Sequence, residues 1–594
     1  MERLAIKSRR GLSLIEVIIA LGMVSLLFGA IYLSYFSIID VISSSEFRSE
    51  AAFLLNKEIE LIRNIPFDDV GTVGGIPAGV ISPIKDVTGD DNNIYALEFT
   101  VRNIDDPFDG TIGGTPNDTA PADYKSVEIK ASCLSCPRFV PISITTTVAP
   151  KSLESASSDG SLFINVFDAG AQGVSGATVR VINNSTTPSI DLTDTTNASG
   201  VLQLVGVPTS TQNYYIQVNK NGYSSERTYR IGDVANPNPL PQYTHATIQA
   251  QTLTTASFSI DKVSTLKILS SDNLCLGVAS QPFDVDGTRT IGTPDVFKNN
   301  YSSSTDSNGL LTFSNVEWDT YSINLTSSSY DISGVMPFGP RLINPNSSTT
   351  VRYVLKSSNP NSLLVRVKDT ISGNGIPSST LTLTRAGFTA TSTTARATLS
   401  ETTWSAGTYS SQDGGVDISN PTSLKLLVNA SGTYSTTSTS WLISNTFNLG
   451  GTSTTFYNLS WNPTTQPAQT GTASLKFQLA SNNDNSIWNF IGPDGTSGTY
   501  YSSSGASIYF GHAGDRYLRY KAYLSTQDED FTPQLDDIKF TFHGSCVPLG
   551  QSLFQGLTSN DYEITASAVG YVTATSSVTV GSGWQATEIE LTSL

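Results

Sequence analysis

The chain is poor in the side chains on which most enzymes and nucleic-acid binders depend. Its 594 residues include three histidines, His245, His512 and His543, in three separate segments. None stands in an H-E-x-x-H or nucleophile-elbow context, and no phosphate-cradling glycine loop follows a strand pattern. Asp and Glu are plentiful, but paired glycosidase carboxylates cannot be told from turn carboxylates in a sequence. The expectation is therefore a protein without chemistry of its own. Positive charge is scarce too. Lys and Arg number 34 against 51 Asp and Glu, a net charge of −17, and such a surface repels phosphate backbones, so nucleic acid is not an expected partner. The four cysteines, Cys133, Cys136, Cys275 and Cys546, are too few to hold a chain of this length together, which leaves stability to hydrophobic cores.

Ser, Thr, Asn and Gly are abundant, and Val, Ile, Tyr and Phe recur in short clusters. That balance suits β-sandwiches joined by polar turns, and the length predicts several of them. The exception is the N-terminal region. Arg3, Lys7, Arg9 and Arg10 precede Gly11, and from Leu12 to Ile39 the only charged side chain is Glu16. About 20 apolar residues at 1.5 Å each cross a bilayer, and the basic leader predicts a cytoplasmic N-terminus on a single-pass membrane protein. A cleavable secretory signal would need a shorter apolar core and a small-residue cleavage site, which Leu33-Ser34-Tyr35-Phe36 does not supply. A plain anchor fits the hydropathy but leaves the intramembrane carboxylate of Glu16 unexplained.

Gly11-Leu12-Ser13-Leu14-Ile15-Glu16 resembles the processing motif of type IV prepilins and type II secretion pseudopilins. The resemblance implies a prepilin peptidase cutting between Gly11 and Leu12, N-methylation of Leu12, and a Glu16 that pairs with the terminal amine of a neighbouring subunit during assembly. Leu12 departs from the Phe or Met more usual there. Beyond Asp40, Phe47, Ala51, Leu54, Leu55, Ile59 and Ile62 keep helical spacing and Ile65-Pro66 is a stop, so residues 12–64 read as one transmembrane and then amphipathic helix. By the same resemblance its second half packs on a β-sheet head.

Strand-like alternation marks Ile94–Val101 and Lys125–Lys130 within a pilin-like β head spanning 65–150. Between them Asp105, Asp106, Asp109, Asp118 and Asp123 form either a solvated turn, the favoured reading, or a calcium loop of the kind some pseudopilins carry. Cys133-Leu134-Ser135-Cys136 lacks a second ligand pair for zinc and reads as a structural disulfide. Past Lys151 the chain repeats itself. Leu162–Asp168, Ser264–Leu269 and Ser362–Asp369 open three units, and Thr193–Gly200 recurs as Ser304–Gly309. The pattern resembles the carboxypeptidase regulatory-like domain of transthyretin-type topology.

The third unit fails to finish until Gly550–Leu557 and Gly570-Tyr571, which predicts a domain inserted at a hairpin tip. The expected organisation is a basic leader at 1–11, the helix, the head, sandwiches at 151–262 and 263–357, a third at 358–413 with 545–594, and an inserted jelly-roll-like sandwich at 414–544. Trp441, Trp461 and Trp488 are candidates for stacking on sugars, but a sandwich core needs aromatics as well, and core is the expectation. Lys267 and Lys368 sit where an autocatalytic isopeptide bond would place its lysine, without an assignable Asn. The fold class is mainly β with a long N-terminal helical stem. The functional expectation is a minor or tip type IV pilin-like filament subunit at the cell surface, delivered through the inner membrane. It would contact other pilin or pseudopilin subunits and a surface glycan or protein ligand. The alternatives are a pseudopilin-like part of a type II secretion or DNA-uptake filament, and a simple membrane-tethered β-domain protein.

Overall fold

One helix, Leu14–Arg63, runs for 50 residues, about 75 Å at 1.5 Å per residue. It opens a computed structural model that describes residues 14–90, 92–151, 157–234, 240–337 and 339–594. The helix is long and apolar enough to cross a membrane. From Leu14 to Ile42 its apolar side chains are exposed along every face, whereas Ala51, Leu54, Leu55, Ile59 and Ile62 are buried. The change follows the sequence: apart from Glu16, charged residues enter only from Asp40 on, and from there a single apolar stripe remains to be covered. It ends where expected, with Asn64 and Ile65 folding back onto Leu61 and Ile62 ahead of Pro66.

A four-stranded antiparallel meander covers that stripe, formed by Ile84–Thr88, Ile94–Ile104, Tyr124–Cys133 and Ile142–Val148. Alternate residues of the two central strands, among them Tyr95, Leu97, Phe99, Val127 and Ile129, point at the helix and form one core with it. Polar contacts fix the docking. Lys85 Nζ meets the buried Glu58 carboxylate at 2.7 Å, and Tyr95 Oη donates to Glu50 at 2.8 Å. Two loops of this head repeat the pattern G-T-x-G-G-x-P, at Gly71–Pro77 and Gly110–Pro116. In each, the second of the paired glycines donates its N–H to the threonine carbonyl (Gly75 to Thr72 at 3.0 Å, Gly114 to Thr111 at 2.8 Å).

The chain divides into two compact units, residues up to 262 with Thr290–Val296, and Val263–Arg289 with Phe297–Leu594. In the first, the head is tied to a β-sandwich. Ile76 enters the sandwich core, Gly74 O accepts from Asp191 N–H, and the Arg102 guanidinium forks onto the buried Asp194 at 2.9 and 2.6 Å.

Three sandwiches share one wiring. In each the opening strand is central, antiparallel to one neighbour and parallel to the closing strand. Gly160–Phe167 lies between Val201–Val207 and Leu253–Ser259; Ser264–Ser271 between Leu310–Val316 and Ser348–Ser357; Ser362–Asp369 between Gln551–Phe554 and Trp584–Leu591. Buried threonines recur at the same hairpin. Thr196, Thr305 and Thr394 each accept a backbone N–H at 2.9 Å, from Ala177, Gln281 and Ser379, and donate to a nearby carbonyl. Gly200, Gly309 and Gly550 close that hairpin with φ of +79°, +75° and +64°, and a Cβ there would strike the carbonyl of the opening strand at 2.2–2.5 Å. Residues 395–549 thus stand where Asn197-Ala198-Ser199 suffice in the first copy. A tyrosine also recurs, its hydroxyl donating to a carbonyl four to six residues upstream: Tyr214 to Pro208, Tyr321 to Glu317, Tyr562 to Thr558.

The inserted sandwich begins earlier than its expected start at 414. Ala397–Glu401 pairs with Asp537–His543, and Tyr409–Gln412 with Ser440–Ser444, so both strands belong to the insert rather than to the third sandwich. Trp404, fully buried, belongs to the same core as Phe477, Tyr520 and Phe540. The short polar strands around Ser400 and Ser411 carry too little hydrophobic alternation to declare their partner, and only pairing does so. Lys368 lies 2.9 Å from Glu588 and 3.1 Å from Glu590 on the neighbouring strand, and Lys267 is exposed, so neither occupies the buried setting an isopeptide bond needs.

Candidate functional surfaces

The processing residues Gly11 and Leu12 lie outside the described residues. Glu16 sits in the first turn of the described helix, and its side chain likewise lies outside the description. What is described is the surface that follows them. From Leu14 to Ile42 the helix exposes Leu, Ile, Val, Phe, Tyr and Met side chains to whatever surrounds them. At about 25 cal/mol per Å² of apolar surface removed from water, a segment of this kind is stable only within lipid or against other apolar helices. The lower half of the same helix is locked to the head, so any force on the stem passes directly into the head sheet.

All four cysteines are paired. Cys133 and Cys136 form a local disulfide at the end of the third head strand, and Cys136 lies against the helix-facing core. Cys275 pairs with Cys546 across 271 positions, which the spacing alone did not indicate. It joins a turn of the second sandwich to the exit of the insert. Disulfides persist in oxidising compartments outside the cytosol.

The aspartate loop acts as a turn scaffold. Asp105 Oδ2 accepts the Ile112 N–H at 2.9 Å, Asp118 Oδ1 the Ala120 N–H at 2.8 Å, Asp106 Oδ1 the Phe108 N–H at 3.1 Å, and Asp123 accepts the Asp106 N–H. Asp109 is exposed. Burial, then the neighbouring carboxylates, push the Asp105 carboxyl upward. Asp105 Oδ1 and Asp118 Oδ2 are buried and accept no hydrogen bond among the described residues. Even so, among the described residues no group of three or more carboxylate, imidazole or thiolate side chains is placed to hold a metal.

The histidines sit in three different settings. His245 Nδ1 meets Thr228 Oγ1 at 3.0 Å and His543 Nδ1 meets Ala395 O at 3.0 Å. His512, 2 % exposed, touches Ser481 Oγ at 2.6 Å, and burial takes its imidazole down to about 4 despite the nearby Asp515. Asp515 bonds to Ser481 at 2.5 Å, so the carboxylate holds the hydroxyl rather than orienting the imidazole, which is not the wiring of a nucleophile relay. A second buried chain runs from Trp404 Nε1 to Tyr520 Oη at 2.8 Å, and from Tyr520 Oη to Glu401 at 2.6 Å. Burial lifts the Glu401 carboxyl to about 7, partly offset by the Tyr520 hydrogen bond.

The three tryptophans separate. Trp461 is in the insert core, as expected, but Trp441 and Trp488 are not; both are half-exposed with cations stacked on them, Lys521 at 4.3 Å and Arg519 at 4.4 Å from the ring centroids. Trp404, not singled out in the sequence, takes the central core position. Position 441 faces outward because its neighbours Leu442 and Ser444 are the inward pair of that strand.

No protein-family model matches the chain, and no curated protein matches it. Solved structures with local likeness include the Bacillus anthracis TIE protein (14 % identity, TM-score 0.16), where the match covers 53 % of this chain and 66 % of that one. GBS52, the minor pilin of Streptococcus agalactiae, shares 13 % identity at a TM-score of 0.17 over 33 % of this chain and 96 % of that chain. A streptococcal ancillary pilin shares 8 % at a TM-score of 0.15, over 73 % and 99 %. Scores this low carry no argument about the role of the present chain.

Proposed function

We propose that the chain is a type IV pilin-like filament subunit in a minor or tip position, displaying a multi-domain β ectodomain that binds rather than catalyses. The observation that carries this reading is the division of one helix. Its first half is apolar on every face, as membrane storage and a filament core both require, and its second half is docked on an antiparallel sheet. A simple tether has no need of that continuity, since a flexible linker past the bilayer would serve it equally well. The prepilin-like motif at the head of the same helix supplies the processing step. Cleavage after Gly11 would leave Leu12 as the new terminus and Glu16 inside the apolar segment, where a buried carboxylate needs a cationic partner. The N-terminus would start in the cytoplasm and the ectodomain would finish outside.

The position follows from bulk. More than 500 residues follow the stem, and a head of that size crowds lateral packing along a shaft but not at a tip. The maturation step is tested by Gly11→Val. The peptidase must approach a backbone at the membrane face, so a side chain there should abolish cleavage while membrane insertion persists. Mass spectrometry of the membrane-extracted variant should then show the leader retained; a normal Leu12 terminus would contradict the processing assignment.

A further inference from the structure

The outer face of one insert sheet carries a surface out of character with the rest of the molecule. The strand Tyr517–Leu524 alternates strictly. Leu518, Tyr520, Ala522 and Leu524 face the core, and Tyr517, Arg519, Lys521 and Tyr523 face out. Its neighbours extend the pattern sideways. Trp441 and Lys476 stand directly opposite Tyr523 on the two flanking strands, and Ile443 stands opposite Lys521. Residues opposite one another in a ladder share a face, so these side chains form one surface. Trp488 and Tyr500 rise at its margin, each with a cation over its ring, Arg519 on the first and Lys476 on the second at 4.1 Å.

The charge is as unusual as the aromatics. The chain as a whole is at −17, and residues 397–543 contain eleven carboxylates and six Lys or Arg. Three of those six, Lys476, Arg519 and Lys521, gather here; Lys425 and Lys539 lie in other sheets, and Arg516 precedes the strand with its Nε on Asn448 Oδ1. Lys539 is ion-paired with Asp537; the three on this face make no ion pair among the described residues. The carboxylate at the edge, Asp413, accepts the N–H groups of Trp441 and Gly415 and attracts Lys521 without forming an ion pair with it. Each cation is instead held by a ring face, which orients it without neutralising it. The Arg519 guanidinium is also oriented by hydroxyls, its Nε donating to Thr446 Oγ1 at 2.8 Å and its Nη1 to Ser410 Oγ at 3.2 Å, so it is fixed in place without a carboxylate partner.

From this juxtaposition of ring-held cations without ion pairs and half-exposed aromatics on one sheet face, we infer that the insert binds an acidic polysaccharide, a polymer of uronate sugars. The cations take the carboxylates, and the exposed parts of Trp441, Tyr523 and Tyr500 take the apolar C–H faces of the rings. Polysaccharide is favoured over nucleic acid by charge density. A duplex carries one charge per ~1.7 Å of axis, which a body at −17 repels at long range, whereas a uronate chain carries one charge per sugar. The inference rests on the reading of the ectodomain as a binding module, and it is independent of how the stem assembles.

The test uses the purified full chain in detergent, with immobilised polygalacturonate as probe, and neutral dextran and duplex DNA beside it. Wild type should bind polygalacturonate at 50 mM salt, weaken about tenfold by 200 mM as screening grows, and ignore dextran. Arg519→Gln with Lys521→Gln should lower the affinity about tenfold or more, and Lys521→Arg should retain it. If the double variant does not fold, Lys476→Gln at the margin serves in its place, with an expected loss of a few-fold. Absence of binding by wild type, undiminished binding by the charge-removing variants, or equal capture by dextran or DNA would each overturn the proposal. Because no filament is needed, these outcomes are distinguishable from a failure of the filament reading.

Discussion

Two buried titratable groups in the insert work against each other, and the opposition is measurable. His512 has a folded-state pKa of about 4, below its ordinary 6.5. The neutral ring is the one the fold accommodates, so the stability it contributes is complete above 6.5 and is lost as pH falls towards 4. For a side chain this buried, that amounts to something on the order of 3 kcal/mol. Glu401 runs the other way. Its folded-state pKa of about 7 lies above the ordinary 4.5, so its contribution is complete below 4.5 and is lost as pH rises towards 7. Between 4.5 and 6.5 the two slopes oppose. Hydrogen exchange in the insert strands of the full chain should therefore show protection nearly independent of pH in that window. His512→Asn should leave protection that declines as pH rises, and Glu401→Gln protection that grows. Parallel behaviour of both variants would contradict the assignment. Neither group was legible in the sequence, because a lone His or Glu declares its environment only when the fold closes around it.

The stem helix is the element that the sequence described best. The side chains whose spacing placed them on one face, Ala51, Leu54, Leu55, Ile59 and Ile62, are the ones the head buries. Helical period, a first half with Glu16 as its one charge before Asp40 and a terminal proline all speak for one answer, and such agreement is what makes an element readable. Leu55, 2 % exposed, is a strong test of the docking. Leu55→Ala should destabilise the helix–head packing by about 2–5 kcal/mol, seen as faster exchange in Tyr124–Cys133 with the three sandwiches unaffected. Unchanged exchange in that strand would show that the stem is not a structural part of the head. The repeated G-T-x-G-G-x-P loops were missed, since their glycines and prolines read as ordinary turn punctuation. The outward position of Trp441 was missed for a related reason. A five-residue strand can be read in either register, and the choice depends on its partner strands.

Across the whole molecule, the hairpin-tip insertion was visible because the third copy lacked its second half and the missing motif returned downstream. The edge of the insert was not visible, nor was the Cys275–Cys546 bond, since a pairing across 271 positions leaves no local trace. Closing so long a loop restricts the unfolded chain far more than the three-position Cys133–Cys136 loop does. Cys275→Ser with Cys546→Ser should lower the unfolding free energy by about 2–4 kcal/mol, and Cys133→Ser with Cys136→Ser by clearly less. Equal effects in chemical denaturation would argue against the long-range bond.

At this same scale stands the claim that joins the stem to its proposed use. Replacing Glu16 with Val makes the apolar segment more apolar, so processing and bilayer insertion should survive. A neighbouring subunit's terminal amine would lose its buried partner, and an uncompensated buried charge costs roughly 3–5 kcal/mol, enough to disfavour assembly strongly. The measurement is the ratio of mature protein in sheared surface filaments to that left in membranes, for wild type and Glu16→Val. A pilin-like subunit requires that ratio to collapse in the variant while total mature protein is maintained. An unchanged ratio would contradict assembly through Glu16 and leave a tethered β-domain protein.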